Sequence, residues 1–376
     1  MESTISIQKA IEQKSGKVKL RGWCYRERGS NNLIFIVLRD SSNIIQCVLE
    51  KKAVSEEIWK DAKKIKIETS LEIEGTIKED ARAPTGFEVL IDDIKIIGLC
   101  ENYPIQKDLS KEFLADKRHL WLRSRKMTSI LKIRSTVFGA IHNYFRSKDF
   151  YEYHSPIFQP TQAEGGSSVF ELPYFGKKIY LAQTWQLQAE PAIFALERIY
   201  TIAPSFRAEK SVTSRHLTEY WHAEMEEAWT NFNELQDHSE ALVKNIVKEV
   251  LEKNLEELKI LNRDPKLLEP TVKKKFPRLT YTEVLEVLDK KANMKVKWGK
   301  DLRTKEEDEL SKLYDTPIIV TRYPKGVKAF YMKADPEDDK VVLGFDLIGP
   351  EGYGELIGAS QREEDEKKII ENLEKQ

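Results

Sequence analysis

A short stretch near the middle of the chain places arginines, carboxylates and an aromatic ring in an order that suits a nucleotide. Arg207 and Glu209 are two residues apart, on the same side of a predicted strand, and a polar loop with Arg215 and His216 then leads to Tyr220. A guanidinium binds phosphate through paired hydrogen bonds, a carboxylate accepts a bond from an exocyclic amine, and a flat ring stacks on a base. The stretch therefore predicts an ATP site. The alternative interpretation is a hairpin with a surface ion pair.

Two carboxylates further along the chain could hold the metal that accompanies a nucleotide. Asp346 and Glu355 lie on two predicted neighbouring strands, and hard oxygen ligands suit Mg²⁺ that is bound together with phosphates. The alternative is a pair of solvated acids. The sequence contains neither G-x-x-x-x-G-K nor G-x-G-x-x-G, so ATP binding would depend on acids and arginines instead of a glycine-rich loop.

The length of the chain allows two domains, and its charge distribution allows a nucleic-acid partner. The 376 residues are 40% hydrophobic, and 61 basic residues nearly balance 62 acidic ones. The first forty residues nevertheless carry eight lysines and arginines against four acids, and residues 351–376 show the reverse. Because a local basic patch is what binds phosphates, the N-terminal end is the better candidate for RNA.

The cysteines and the apolar runs predict a cytoplasmic protein. Cys24, Cys47 and Cys100 lack the close spacing of metal ligands and are interpreted as reduced thiols. No apolar run approaches the length of a membrane span, and the N-terminus lacks the pattern of a signal peptide.

Residues 1–100 have the pattern of a small β domain. Five runs of β-forming residues are separated by turn residues, and a helical pattern over 53–65 falls between the third and fourth runs. This order predicts an OB barrel, a fold that often binds oligonucleotides on an exposed sheet face, and the alternative is another Greek-key barrel. Residues 101–125 are interpreted as a linker.

Residues 126–376 have a different pattern, which predicts an α+β domain. Apolar residues at helical spacing predict helices over 127–145 and 233–258, and Thr280 with Glu283 has the spacing of a capping box. Strands are predicted at 151–157, 317–321, 328–333, 341–348 and 354–359. Helices followed by a run of strands favour an antiparallel sheet over a doubly wound one.

The string from Tyr200 to Glu209, with its continuation to Trp229, resembles motif 2 of the class II aminoacyl-tRNA synthetases. Within that class it is most similar to the aspartyl, asparaginyl and lysyl subgroup, and above all to archaeal-type asparaginyl enzymes. The resemblance extends from about residue 17 to residue 362. It implies that the helix and strand at 127–157 form motif 1 and a dimer interface.

The resemblance also implies roles for the ATP site. Arg207 would bridge the amino-acid carboxylate and the α-phosphate, and Glu209 would bind the adenine amine. Tyr220, where phenylalanine is usual, would stack on the base. Arg215 and His216 would face the outer phosphates. The string 352–362 matches the strand that carries the metal and substrate ligands, which favours Mg²⁺ binding by Glu355 and Asp346.

The amino-acid pocket is where the resemblance is most informative. Gln186 belongs to the substrate strand and helix, in which aspartyl enzymes carry a lysine at the position of Ala189. Here the next residue is Glu190, which could accept a bond from the asparagine amide and would repel aspartate. Arg362 would donate to the side-chain carbonyl, and Glu164 would pair with the substrate ammonium. Trp185 and Pro191 depart from the pattern, which normally has smaller residues at these positions.

In the N-terminal barrel, the resemblance implies an anticodon site. Phe35 would stack on a base, and Arg26, Arg28 and Gln46 would supply polar contacts. The alternative for Phe35 is a place in the core.

The last expectation concerns the C-terminal end. Class II enzymes carry a motif 3, whose arginine packs on adenine and reaches the γ-phosphate, and the sequence ends at Gln376 without it. Three explanations compete: a truncated reading frame, a second chain that supplies the motif, or a paralogue that has lost activation. The main interpretation is an enzyme that activates asparagine with ATP and Mg²⁺ and transfers it to tRNA(Asn). The alternatives are an aspartyl enzyme that charges two tRNAs, a paralogue that makes free asparagine, and a non-catalytic tRNA-binding protein.

Overall fold

The structure, a computed structural model, describes residues 3–105, 109–160, 169–208 and 217–375. The chain divides into two compact units, Met1–Thr128 and Ser129–Gln376. Among the described residues, no helix is long and apolar enough to cross a membrane.

The first unit is a closed five-stranded barrel. Its elements are α1 (Ile7–Gln13), β1 (Gly16–Gly29), β2 (Leu33–Arg39), β3 (Ile44–Glu50), α2 (Glu56–Ala62), β4 (Ser70–Glu79) and β5 (Phe87–Gly98). The strands close in the order β1-β2-β3-β5-β4, with every pair antiparallel except β3 with β5. The helix between the third and fourth strands lies where the sequence predicts it, and the OB-fold prediction is confirmed.

Alternation along the strands explains why this segment closes into a barrel. In β2, Ile34, Ile36 and Leu38 are buried, while the residues between them are half-buried on the outer face. A period of two places successive side chains on opposite faces of a strand, so one face builds the core and the other remains available. Trp59 of α2 packs into the same core.

Two short helices, α3 (Lys111–Asp116) and α4 (Arg118–Trp121), occupy the segment interpreted as a linker. Just after them, Arg123 donates to Glu68 over 3.0 Å, and Arg39 contacts the same carboxylate at 2.7 Å. Glu68 is almost fully buried, so these two guanidinium groups compensate its charge. The pairing ties the end of this segment to the barrel within the first unit.

The described residues of the second unit form helices and three small sheets. Its helices are α5 (Arg125–Arg146), which begins just before the boundary, α6 (Gln186–Leu196), α7 (Phe232–Lys253), α8 (Leu255–Ile260), α9 (Glu269–Lys273), α10 (Tyr281–Ala292), α11 (Thr304–Ser311) and α12 (Glu366–Lys375). Its strands are β6 (Tyr151–Glu152), β7 (Phe158–Gln159), β8 (Glu171–Tyr174), β9 (Lys177–Leu181), β10 (Arg198–Phe206), β11 (Glu219–Glu227), β12 (Arg278–Thr280), β13 (Ile318–Thr321), β14 (Gly344–Gly349) and β15 (Gly354–Ser360).

The sheets have the orders β11-β10-β6, β12-β13-β14-β15 and β7-β9-β8. The pairs β10–β6 and β12–β13 are parallel, and the other pairs are antiparallel. This mostly antiparallel arrangement confirms the α+β prediction. The capping box at Thr280 and Glu283 is also confirmed, since each side chain bonds the backbone of the other residue.

Several sequence-based predictions differ from the structure, among them the strand predicted over 341–348, which begins at Gly344. The helix predicted over 233–258 breaks at Asn254, which separates α7 from α8. The strand predicted over 151–157 pairs only at Tyr151–Glu152, before Pro156. The strand predicted over 328–333 is wrong: the segment contains a turn at 330–331, and Met332 forms only an isolated antiparallel bridge with Arg362. Lys333 alone makes the backbone bonds to Gln361 and to Leu343, so no ladder forms. The turn aims side chains of this segment at the neighbouring strands.

We predict that the absence of a side chain at Gly75 stabilises the closed barrel. A Cβ atom at Gly75 would stand 2.2 Å from the carbonyl oxygen of Leu90, whereas at Gly29 its nearest neighbour would be 3.8 Å away. Because the Leu90 oxygen belongs to a paired strand, it cannot move aside cheaply. Gly75→Ala should lower the free energy of unfolding of the barrel by about 1–3 kcal/mol, as overpacking does, while Gly29→Ala should change it by less than about 0.5 kcal/mol.

Hydrogen exchange of the barrel amides in the intact chain measures both effects separately from the second unit. Equal protection in the two variants would contradict the close approach at Gly75.

Candidate active site

The β10–β11 hairpin brings together two of the residues predicted for the ATP site. Arg207 comes directly after β10, and its backbone N–H donates to the Thr218 carbonyl over 3.0 Å. The register places Ser205 opposite Tyr220, and the Arg207 guanidinium lies 5.8 Å from the centre of the Tyr220 ring. A cation and a flat ring therefore stand side by side at the end of this hairpin. Glu209, Arg215 and His216 lie outside the described residues.

Helix α6 and Arg362, which lies just after β15, form a polar cluster. Gln186 and Glu190 are four residues apart and so share one face of α6; the Gln186 amide donates to Glu190 Oε1 over 2.9 Å. Arg362 Nε lies 3.6 Å from the same oxygen. Three residues predicted for the amino-acid pocket are thus neighbours. Glu164 lies outside the described residues.

The floor below this cluster is apolar and fully packed. Ala189 is completely buried against Trp185 and Ile199, so the only charge at this turn of α6 is that of Glu190. The Trp185 indole donates to the Tyr153 carbonyl over 2.8 Å, which holds the ring in place. Pro191 lies inside α6 and has no N–H to donate to the helix.

Glu226 of β11 is a site residue that the sequence analysis did not single out. Its buried carboxylate accepts from Arg362 Nη2 at 2.5 Å. Burial raises the pKa of Glu226, and the Arg362 charge partly offsets that rise. A sequence pattern could have identified Glu226: His222, Glu224 and Glu226 alternate along a strand, which places three polar side chains on one face.

Arg362 therefore stands between two carboxylates. Its Nη1 donates to Ser360 Oγ at 2.7 Å, and its guanidinium lies 4.7 Å from the centre of the Tyr331 ring. These contacts fix the plane of the guanidinium between Glu190 and Glu226. One positive charge faces two negative ones, so the cluster favours an uncharged or cationic group over an additional carboxylate.

Glu224, on the same face of β11, supports the floor. It accepts from the Trp185 backbone N–H over 3.0 Å and also contacts the Thr184 hydroxyl. His222 Nδ1 lies 3.2 Å from the same carboxylate. Burial lowers the pKa of His222, and the Glu224 charge acts in the opposite direction.

The two predicted metal ligands converge on one point of the second sheet. Asp346 lies opposite Gly358, and a Cβ atom at Gly358 would be 2.7 Å from Glu355 Oε1 and 3.7 Å from Asp346 Oδ1. The glycine thus leaves a hollow between two carboxylates. Among the described residues, no group of three or more His, Cys, Asp or Glu is arranged to hold a metal, so an ion here would need phosphate oxygens or water as further ligands.

The electrostatics of this pair depend on a lysine. Lys328 Nζ lies 3.0 and 2.7 Å from the two carboxylate oxygens of Asp346. Glu355 is an exposed residue by its whole surface, but its carboxyl group is partly desolvated. This desolvation, together with the charge of Asp346, raises the pKa of Glu355 to about 7. The carboxylate oxygens of Asp346 and Glu355 are of the kind that Mg²⁺ prefers as ligands. In this structure the charge of Asp346 is balanced by Lys328.

The outer face of the barrel carries the residues predicted for the anticodon. Phe35 is half-buried on the outside of β2, not in the core. Arg28 is its cross-strand partner on β1, and its guanidinium lies 4.6 Å from the centre of the ring. Arg26 lies 5.6 Å from the Tyr25 ring. Gln46 is buried, and its amide donates to Glu88 over 2.9 Å.

Sequence comparisons agree with this arrangement. The profile of class II tRNA synthetases (D, K and N) matches residues 110–376, and that of the OB-fold nucleic acid binding domain matches residues 18–97. The chain is 48% identical to the asparagine–tRNA ligase of Thermoplasma acidophilum over 346 residues, which cover 92% of this chain and 80% of that protein. It is 45% identical to the asparagine–tRNA ligase of Thermococcus gammatolerans over 362 residues, which cover 96% of this chain and 84% of that protein.

A solved structure has the same fold. The crystal structure of asparaginyl-tRNA synthetase from Pyrococcus horikoshii complexed with asparaginyl-adenylate matches this chain with a TM-score of 0.93 at 40% sequence identity. The match covers 100% of this chain and 87% of that one.

We predict that Arg362 stabilises the second unit by compensating Glu226. Arg362→Met leaves a buried carboxylate without its cation, which should lower the free energy of unfolding by about 3 kcal/mol. Replacing both residues by methionine should recover most of that loss. Lys248→Met removes the cation of the exposed pair with Glu252 and should cost less than about 1 kcal/mol.

Urea unfolding of the four proteins at neutral pH measures these differences. A double variant as unstable as Arg362→Met would show that the carboxylate of Glu226 does not depend on this cation.

Proposed function

This chain belongs to the class II tRNA synthetases, in the group of the aspartyl, lysyl and asparaginyl enzymes, and we propose that it is an asparagine–tRNA ligase. The observation that carries the proposal is the cluster in which Arg362 lies between Glu190 and Glu226. A guanidinium can donate to the carbonyl oxygen of an asparagine side chain, and a carboxylate beside it can accept from the amide nitrogen.

The cluster also explains why aspartate would be a poor substrate. An aspartate side chain would bring a further carboxylate to a place where two already share one guanidinium. Repulsion and lost hydrogen bonds then act together against the wrong amino acid. An amide fits because it offers donors to the carboxylates and an acceptor to Arg362.

The activation step needs no side-chain nucleophile. The carboxylate of asparagine attacks the α-phosphate of ATP, a bond forms between that oxygen and phosphorus, and pyrophosphate leaves. Arg207 neutralises charge on the α-phosphate as it develops, and Tyr220 supports the adenine by stacking. Asp346 and Glu355 would hold Mg²⁺, which when bound neutralises phosphate charge. Glu209, Arg215 and His216 remain proposed ATP ligands, and Glu164 remains the proposed partner of the substrate ammonium.

In the second step, a terminal ribose hydroxyl of tRNA(Asn) attacks the carbonyl carbon of the adenylate, and AMP leaves. The barrel would select the tRNA, with Phe35 as a stacking platform and Arg26, Arg28 and Gln46 as polar contacts. Arg28 already covers one face of Phe35, so a base stacked on that ring would also lie close to a positive charge.

A second copy of the chain is the proposed partner of α5. This helix carries Leu131, Arg134 and Phe138 along a groove that Trp221 completes, and the Phe138 and Trp221 rings meet edge to face at 5.8 Å. Leu131 and Trp221 are exposed. An exposed apolar groove of this kind suits an interface between identical subunits in a cytoplasmic homodimer.

Pyrophosphate exchange into ATP tests the proposed function. Exchange that depends on asparagine and not on aspartate supports it. Exchange with both amino acids would favour an aspartyl enzyme that charges two tRNAs, and formation of free asparagine would favour the paralogue. Binding of tRNA without any exchange would favour a non-catalytic tRNA-binding protein.

We predict that Glu190 contributes to the choice between amide and acid. Glu190→Gln keeps an acceptor but removes the charge that repels aspartate. The ratio of kcat/KM for asparagine to that for aspartate should fall by roughly 5- to 150-fold, corresponding to the 1–3 kcal/mol of a mismatched polar group. Glu256→Gln, an exposed carboxylate on α8, is the matched control and should leave the ratio unchanged. If Glu190→Gln also leaves it unchanged, selectivity lies with Arg362 and Glu226.

We predict that Phe35 contributes to tRNA affinity but not to activation. A stacked base is worth about 1–3 kcal/mol, so Phe35→Ala should weaken tRNA binding by roughly 10- to 100-fold. Asparagine-dependent exchange should stay at the wild-type rate. Ile97→Ala removes another exposed apolar side chain, on β5, and should bind tRNA normally. Wild-type tRNA affinity in folded Phe35→Ala would refute this role.

A further inference from the structure

Lys328 places a positive charge on both carboxylate oxygens of Asp346, where a bound metal ion would also place one. Its ammonium lies within 3.0 Å of both carboxylate oxygens, and the two side chains are only 14% and 10% exposed. The contact engages Asp346 Oδ1, the oxygen that would lie 3.7 Å from a Cβ atom at Gly358, as well as Oδ2. A cation that binds the same oxygens has to compete with this ammonium.

A second contact positions the Lys328 ammonium. The ammonium also lies 4.0 Å from the centre of the buried Tyr323 ring, which attracts a cation through its face. Lys328 thus has a second favourable contact that does not depend on Asp346.

The carboxylate pair is poorly equipped to hold a free metal ion. Mg²⁺ prefers six oxygen ligands, and Asp346 and Glu355 supply only part of that set. One of the two is already engaged by an ammonium. A nucleoside triphosphate removes both obstacles. Its oxygens complete the coordination of the metal, and they can accept hydrogen bonds from the lysine that otherwise engages Asp346.

We propose that Lys328 is a built-in counter-ion that keeps Asp346 and Glu355 from binding a free divalent cation, and that its ammonium exchanges Asp346 for a phosphate oxygen when a metal–triphosphate complex arrives. The inference rests on the proposed function, because it requires these carboxylates to be the metal ligands. A lysine suits the exchange because its flexible stem carries three donors that can turn between acceptors. The Tyr323 ring gives the ammonium a fixed neighbour during the exchange.

The first test measures binding of Mn²⁺ alone, by electron paramagnetic resonance, without nucleotide. Lys328→Met removes a positive charge that competes for Asp346, so the variant should bind Mn²⁺ at least about tenfold more tightly than the wild type. Lys328→Arg keeps the charge and should bind as weakly as the wild type. Lys325→Met removes an exposed lysine three residues earlier and serves as the matched control. Equal affinity in Lys328→Met and wild type would overturn the proposal.

The second test uses the wild-type chain and so does not depend on how the variants fold. Mn²⁺ should bind at least about tenfold more tightly in the presence of a non-hydrolysable ATP analogue than alone. Equal affinity with and without the analogue would overturn the proposal, because Lys328 would then offer no barrier to the free ion.

Asp346→Asn separates this inference from the proposed metal site. If the tighter binding in Lys328→Met is lost when Asp346→Asn is added, both the metal site and the role of Lys328 are supported. If the tighter binding survives, the ion binds elsewhere, and the assignment of Asp346 as a ligand is overturned together with the inference. If the wild type and Lys328→Met bind Mn²⁺ equally and Asp346→Asn weakens both, the metal site stands and only the role of Lys328 is overturned.

Discussion

The ion pair between Arg362 and Glu226 joins two sheets of the second unit, β11-β10-β6 and β12-β13-β14-β15. Glu226 lies on β11 of one sheet, and Arg362 follows β15 of the other. Glu226 is buried, so it can remain charged only while a cation stays beside it. This requirement fixes where the end of β15 can lie relative to the β10–β11 hairpin. The positions of Glu190 and Gln186 then follow from their contacts with the same cluster.

At both candidate sites in this unit, one cation faces more than one carboxylate. Arg362 serves Glu190 and Glu226, and Lys328 serves Asp346 under the influence of Asp301 and Glu355. Such an excess of acid is costly for stability, because like charges crowd together in partly desolvated places. The same excess suits function, since it attracts an amide donor at one place and a divalent cation at the other.

Several features were predictable from the sequence because they depend on local pattern. The alternation in β2, the capping box at Thr280 and the order of strands and helix in the barrel all follow from residues close together in the chain. The four-residue spacing of Gln186 and Glu190 also places them on one helix face without further information. Boundaries such as the break at Asn254 and the extent of β6 were less predictable, because they depend on neighbouring elements.

The sequence by itself determined which residue types are available: an arginine with an aromatic beside it, two acids near a glycine, and an alanine followed by an acid where aspartyl enzymes carry a lysine. Only the tertiary structure decided that Glu226 pairs with Arg362 and that Lys328 pairs with Asp346. Glu226 and Arg362 are 136 residues apart in the chain, and the segment with Lys328 contains a turn where the sequence predicted a strand. No local pattern encodes such contacts, because they arise when sheets pack and buried charges must find partners.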